Sequence, residues 1–190
     1  MSEVQLLSPT STNRASAARE WWTQVTDPRR GDRGALAQLR RAQDPLAAAT
    51  VPAAMALYRR LGFGRKQLEH RLTRVGALAH ALAFVRTDRS GVGFCRALGA
   101  KREGASSADD HVYSELRFQR IIRASEDAEL MIQLRCAVSI LREIVDVQSL
   151  ADFALNLDHE RARARFIFDY YGAGYAAPGF PLSVTRGETA

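Results

Sequence analysis

The stretch Ser114 to Ala124, SELRFQRIIRA, constrains this chain more than any other. Placed on a helix, Arg117, Arg120 and Arg123 fall three residues apart on one face, while Phe118, Ile121 and Ile122 recur on the opposite side. One side can bury itself in a core as the other presents guanidinium groups to something negative. The spacing therefore predicts an amphipathic helix whose polar face is looking for an anion.

Length and charge narrow the choices for that anion. A chain of 190 residues, 46% of them hydrophobic, can bury a core as one domain or as two small lobes sharing one. It carries 27 Lys+Arg against 21 Asp+Glu. Lys66 and Lys101 are the only lysines, so nearly all the positive charge is arginine, whose planar fork matches phosphate oxygens. A GC-rich coding sequence would produce the same bias, so the distribution of charge carries more weight. Residues 1–110 have a net charge of +8 and residues 111–190 of −2. The arginines of the second part gather at 117–123 and 161–165, the footprint expected on a polyanion.

Taken in order, the chain predicts helices and little else. Residues 1–13 form an expected disordered leader. A helix over 14–25 carries Trp21 and Trp22, one expected inside and the other free to lie at an interface. Asp32 is placed to cap a helix that ends in Arg40 and Arg41. Asp44-Pro45 and Val51-Pro52 bracket an expected loop or turn, and Pro52 starts a helix ending before Gly62. The stripe Leu68, Leu72, Val75, Ala79, Leu82 marks a long helix over 66–85, with Arg71 and Arg74 at its flank. A short helix follows within 90–98, and the polar segment 99–112 reads as a mobile linker.

Beyond the arginine helix, Ser125 is expected to cap a helix over 126–144. Arg135 and Arg142 should sit together at the margin of its buried stripe. A short helix reaches Leu157, and a last one spans 158–171 with Arg161, Arg163 and Arg165. In it Arg165 can pair locally with Asp169, while Phe166, Ile167, Tyr170 and Tyr171 close the core. Residues 173–190 form an expected loose tail. The fold class is all-α: eight to nine helices in two small lobes, 14–98 and 113–172, around a shared core.

Catalytic motifs do not emerge. His70, His80, His111 and His159 make no metal-ligand spacing with Cys95, Cys136 or one another. Gly62-Phe63-Gly64 and Gly91-Val92-Gly93 lack the third glycine and the strand of a phosphate loop, and read as turns. Asp109-Asp110-His111 has no nucleophile beside it. No enzyme activity, metal or cofactor is expected. There is no apolar run of 18 residues and no secretory leader, which predicts a cytoplasmic protein without a membrane span. Four arginine groups remain: Arg40/Arg41, Arg117/Arg120/Arg123, Arg135/Arg142 and Arg161/Arg165. Only Gln119 and Gln133 accompany them, so they suit phosphate backbones better than base edges.

Several segments, in order, resemble a known family. ALAQLRRA (35–42), GFCRALGA (93–100), SELRFQRIIRA (114–124), ELMIQLRCAV (129–138) and ERARARFIFDYY (160–171) are similar to successive segments of the CasB-type small subunit of the type I-E CRISPR Cascade complex. The resemblance covers about residues 15–171. It implies a two-lobed helical protein without enzymatic activity, present in two copies in an RNA-guided complex beside its backbone and large subunits. There it would hold single-stranded target DNA and the guide RNA by their backbones and stabilise the R-loop. By position the resemblance implies basic contacts at Arg41, Arg96, Arg117, Arg123, Arg135, Arg161, Arg163 and Arg165. Cys95 replaces a common glycine, and Cys136 replaces an arginine that often follows the first, removing one plausible phosphate contact. Two other readings compete: a free-standing helical DNA-binding regulator, and a protein-only adaptor whose arginines pair with Glu126, Asp127 and Glu129.

Overall fold

The computed structural model describes residues 9–63, 67–102 and 111–172. Among them are ten helices: α1 (Pro9–Val25), α2 (Arg33–Arg41), α3 (Pro45–Thr50), α4 (Pro52–Arg60), α5 (Leu68–Ala83), α6 (Phe94–Gly99), α7 (Glu115–Arg123), α8 (Asp127–Ile140), α9 (Val147–Asn156) and α10 (Glu160–Tyr171). The all-α expectation holds. The exception is a two-residue parallel pair, β1 (Thr87–Asp88) with β2 (Ile144–Val145), in which Thr87 registers with Ile144.

Local chemistry sets several helix starts. The Asp32 carboxylate accepts from Ala35 N at 2.8 Å and caps α2 as expected. Asp44 does the same for α3 through Ala47 N, with Pro45 as its first residue. The expected loop over 45–51 is therefore a helix, because proline fits a first turn whose N–H needs no partner. The first helix also starts earlier than expected, so Pro9–Asn13 of the expected leader belong to α1; residues 1–8 lie outside the described residues. So do 103–110 of the expected linker and all of 173–190. The described ends of that linker pair: Lys101 bridges His111 antiparallel, and Val112 N donates to Ala100 O at 2.8 Å.

Two expectations about α8 fail. Its N-cap is Glu126 and not Ser125, with no side-chain cap bond. It ends at Ile140 and not at Ile144, because Arg142 and Glu143 take left-handed backbone angles, φ 55° and 63°. Glu143 O then accepts from Arg86 N (2.9 Å) and Thr87 N (3.2 Å), which draws the chain off the helix and into β2.

One core cluster draws side chains from both sides of the 99–112 segment, among them Leu39, Leu57, Leu78, Leu82, Phe94, Tyr113, Phe118, Leu134, Phe153 and Tyr170. Within it α1 lies on α9, α5 on both α3 and α8, and α6 on α10. Two glycines permit the closest approaches. A Cβ at Gly76 would lie 2.0 Å from Pro45 O of α3, and one at Gly99 would lie 1.8 Å from Tyr170 O of α10. Both tryptophans are buried, so neither is left for an interface. Trp21 Nε1 donates to Ala53 O at 2.9 Å, while Trp22 Nε1 has no partner. At the other end of the chain Phe166 and Tyr170 close the core, but Ile167, Phe168 and Tyr171 face outward.

Candidate nucleic-acid interface

Helix α7 has the two faces its sequence predicts. Phe118, Ile121 and Ile122 are buried; Arg117, Arg120 and Arg123 are exposed. None of the three makes an ion pair among the described residues. The helix is held rigidly from beneath. The Phe118 ring stacks on Tyr170 with centroids 3.8 Å apart and planes 7° from parallel, and the Tyr170 hydroxyl donates to Tyr113 O at 2.6 Å. Burial pushes the Tyr113 hydroxyl up to about 12, with Arg117 and Arg120 pulling the other way. On the outer side Arg120 and Arg123, with Leu116, Gln119 and Glu129, surround an open depression of about 290 Å³.

A second group forms where α2, α5 and α8 meet. Phe84, the C-cap of α5, has the Arg135 guanidinium carbon 5.1 Å from its ring centroid and that of Arg40 at 5.9 Å. Arg40 Nε also donates to Ala83 O at 2.7 Å. Arg41 is exposed beside them in sequence. Arg142 is exposed too, but it does not extend the α8 row with Arg135, since it lies in the left-handed turn beyond the helix end.

The third group divides. Arg161 is exposed and Arg163 half-buried. Arg165 stacks on Phe166 (5.0 Å) and pairs with Asp152 of α9, not with Asp169 one turn on as expected. Asp169 feels both Arg165 and Arg96, which oppose the upward push that burial gives its carboxyl. Arg165 and Arg96 thus lie among the protein's own carboxylates.

Arg74 shows the same division in stronger form. It is 4% exposed, and its guanidinium donates to Asp127 Oδ1 (2.5 Å), Asp158 Oδ1 (2.8 Å) and Ala154 O (3.2 Å). Thr73 Oγ1 and Arg71 join the same two carboxylates. The sequence alone places Arg74 only at a helix flank, since Asp127 and Asp158 are 53 and 84 residues away.

The histidines take structural places where they are described. His80 Nδ1 lies 2.8 Å from Leu39 O and His111 Nδ1 2.7 Å from Gly99 O, so each ring donates to a carbonyl; His159 is the N-cap of α10. Asp109 and Asp110 lie outside the described residues. Among the described residues no group of His, Cys, Asp and Glu could hold a metal ion, and no helix is long and apolar enough to cross a membrane.

Comparison with known proteins places this arrangement. The family model for CRISPR-associated protein Cse2 matches residues 35–171, well over half of the chain. The chain belongs to the CRISPR-associated Cse2 family. The matched span runs from α2 to α10 and so contains all three arginine groups. Cse2, often called CasB, is the small subunit of type I-E Cascade, as the sequence resemblance implied. Among solved structures, a chain in the crystal structure of E. coli Cascade bound to a PAM-containing double-stranded DNA target has the same fold. The TM-score is 0.54 at 23% identity, over 82% of this chain and 91% of that one. No curated protein sequence matches.

Proposed function

We propose that this Cse2-family subunit grips the phosphate backbone of single-stranded nucleic acid without reading sequence, and so stabilises the R-loop of an RNA-guided Cascade complex. It does no chemistry of its own. Its partners are the opened target DNA, the guide RNA backbone, the backbone and large Cascade subunits, and a second copy of itself, all in the cytoplasm. The observation that carries this reading is α7: three exposed guanidiniums that make no ion pair among the described residues, on a helix fixed by the Phe118–Tyr170 stack. A helix fixed before binding loses no backbone freedom on meeting phosphates, so only the arginine side chains have to be ordered. Arg40, Arg41, Arg135, Arg142, Arg161 and Arg163 extend the charge; Arg96 and Arg165 belong to the scaffold behind it. That the solved Cascade of similar fold is bound to a DNA target supports the choice of ligand.

The energetic need is small. Exchanging a DNA duplex for an RNA–DNA hybrid is nearly balanced, so a few backbone contacts can tip it. The test is the lifetime of opened target DNA in a reconstituted complex with the wild-type subunit, without it, and with Arg117, Arg120 and Arg123 all changed to alanine. The triple variant should shorten the lifetime as omission does. Equal lifetimes in all three would overturn the proposal.

A further inference from the structure

We infer that the Arg40–Phe84–Arg135 cluster is a stacking platform for an unpaired base of single-stranded nucleic acid, an inference that rests on the proposed function and adds base contact to phosphate contact. The exposed aromatic beside α7 is Tyr171, which lines a depression with Arg123 and has its hydroxyl bonded to Glu115 at 2.7 Å. The second group is built differently. Phe84 is half-buried, and its ring is fixed on one side by His80, edge-on with centroids 5.1 Å apart. His80 in turn bonds Leu39 O, and Arg40 bonds Ala83 O. Helices α2 and α5 are thereby locked around the ring, and α8 brings Arg135 over it.

Arg135 is exposed and makes no hydrogen bond or ion pair among the described residues; its contact is the ring. A guanidinium laid over an aromatic ring is flat, oriented and delocalised, the surface on which bases stack. Every base has a π-face, so such a platform is indifferent to sequence, and a paired base inside a duplex cannot reach it. Arg40, tethered among the described residues through Nε alone, keeps its terminal nitrogens for the phosphate beside the stacked base. The platform therefore favours single strands over duplex, and the stacking part of its contribution does not depend on salt, unlike the phosphate contact of Arg40.

Salt separates the two kinds of contact. The full-length protein is titrated with a thymidylate oligomer and with an abasic sugar–phosphate oligomer of equal length and charge, over a range of salt. Wild type should bind the thymidylate strand at least about fivefold more tightly, with the same salt slope for both. Arg135→Lys keeps the charge and loses the plane, so it should bind the two oligomers alike with the slope unchanged. Phe84→Leu should do the same, and equal thermal midpoints exclude loss of fold as the cause. A steep slope with no base preference in wild type, or a preference that survives in Arg135→Lys, overturns the platform and leaves the phosphate grip standing. A flat salt response, or no binding of either oligomer at low salt, overturns both.

Discussion

Arg74 and Arg120 are the same residue type in the same kind of helix, and they do opposite work. Arg74 is nine-tenths enclosed, with every arm of its guanidinium on an acceptor from α8, α9 or the α9–α10 turn. Arg120 stands on the outer side of α7 and makes no ion pair among the described residues, although Glu129 borders the same depression. Arginine content alone predicts neither role. What separates them is whether the fold brings an acid to the charge, and an arginine left unanswered on a rigid helix is available to a ligand. Arg165 lies between the two, paired with Asp152 while about a third of its side chain meets solvent.

Removing the enclosed arginine should have the largest effect. Arg74→Ala leaves the largely buried Asp127 without its cation and loses a second pair with the half-exposed Asp158, which costs about 3 kcal/mol of folding stability, the low end for breaking a buried pair. A chemical denaturation midpoint measures it directly. A loss below about 1 kcal/mol would place Arg74 with the surface arginines and erase the contrast. Next in size is the triple replacement of Arg117, Arg120 and Arg123 by alanine. The denaturation midpoint should not move, but the salt slope of single-strand binding should fall by about 2, roughly 0.7 for each phosphate no longer neutralised. Near 0.1 M salt that is on the order of a hundredfold in affinity. A triple variant that unfolds early and binds normally would reverse the two assignments.

The exposed class was legible because it depends on short range. The apolar and basic residues of α7 alternate within eleven positions, and the helical period sorts them without help from the rest of the chain. Asp32 and its helix were legible for the same reason. Three other features depend on partners that local pattern does not contain. Arg74 became a hub through Asp127 and Asp158, and Phe84 became a platform through Arg40 and Arg135. The end of α8 was set by Glu143 O meeting the N–H groups of Arg86 and Thr87, with no glycine to announce the left-handed turn. The α3 helix was a different kind of miss: Asp44-Pro45 is as good a helix start as a turn, and the Ala-rich run behind it decides for helix by packing on Gly76.

The intermediate arginine should give an intermediate result. Arg165→Ala loses a partly exposed pair with Asp152 and a stack on Phe166, for about 1 kcal/mol by denaturation. Its effect on the salt slope of binding should be nil, since its charge is already matched. A fall in slope comparable with that of one α7 arginine would show that Arg165 leaves Asp152 to meet phosphate, and the boundary between the classes would have to move outward.

The smallest expected effect concerns pH, and it links the buried side of the platform to the exposed one. Burial pushes the His80 pKa down from its ordinary 6.5; the Leu39 carbonyl resists and Arg135 adds to the fall. The unfolded chain therefore takes up this proton at a higher pH than the folded one. Stability should decline as pH drops through about 6.5 and level off once the folded histidine is protonated too. Asp169 acts in the opposite sense at more acid pH, because its raised pKa lets the folded state bind a proton first as pH falls toward 3.8. Denaturation midpoints between about pH 7.5 and 5.5 isolate the histidine. His80→Gln, which can still donate to Leu39 O, should flatten the decline in that window. Arg135→Gln removes one of the two influences that lower the His80 pKa, so it should reduce the decline without abolishing it. A decline unchanged by Arg135→Gln would mean that the guanidinium over Phe84 does not reach His80 electrostatically, and that burial alone holds the histidine neutral.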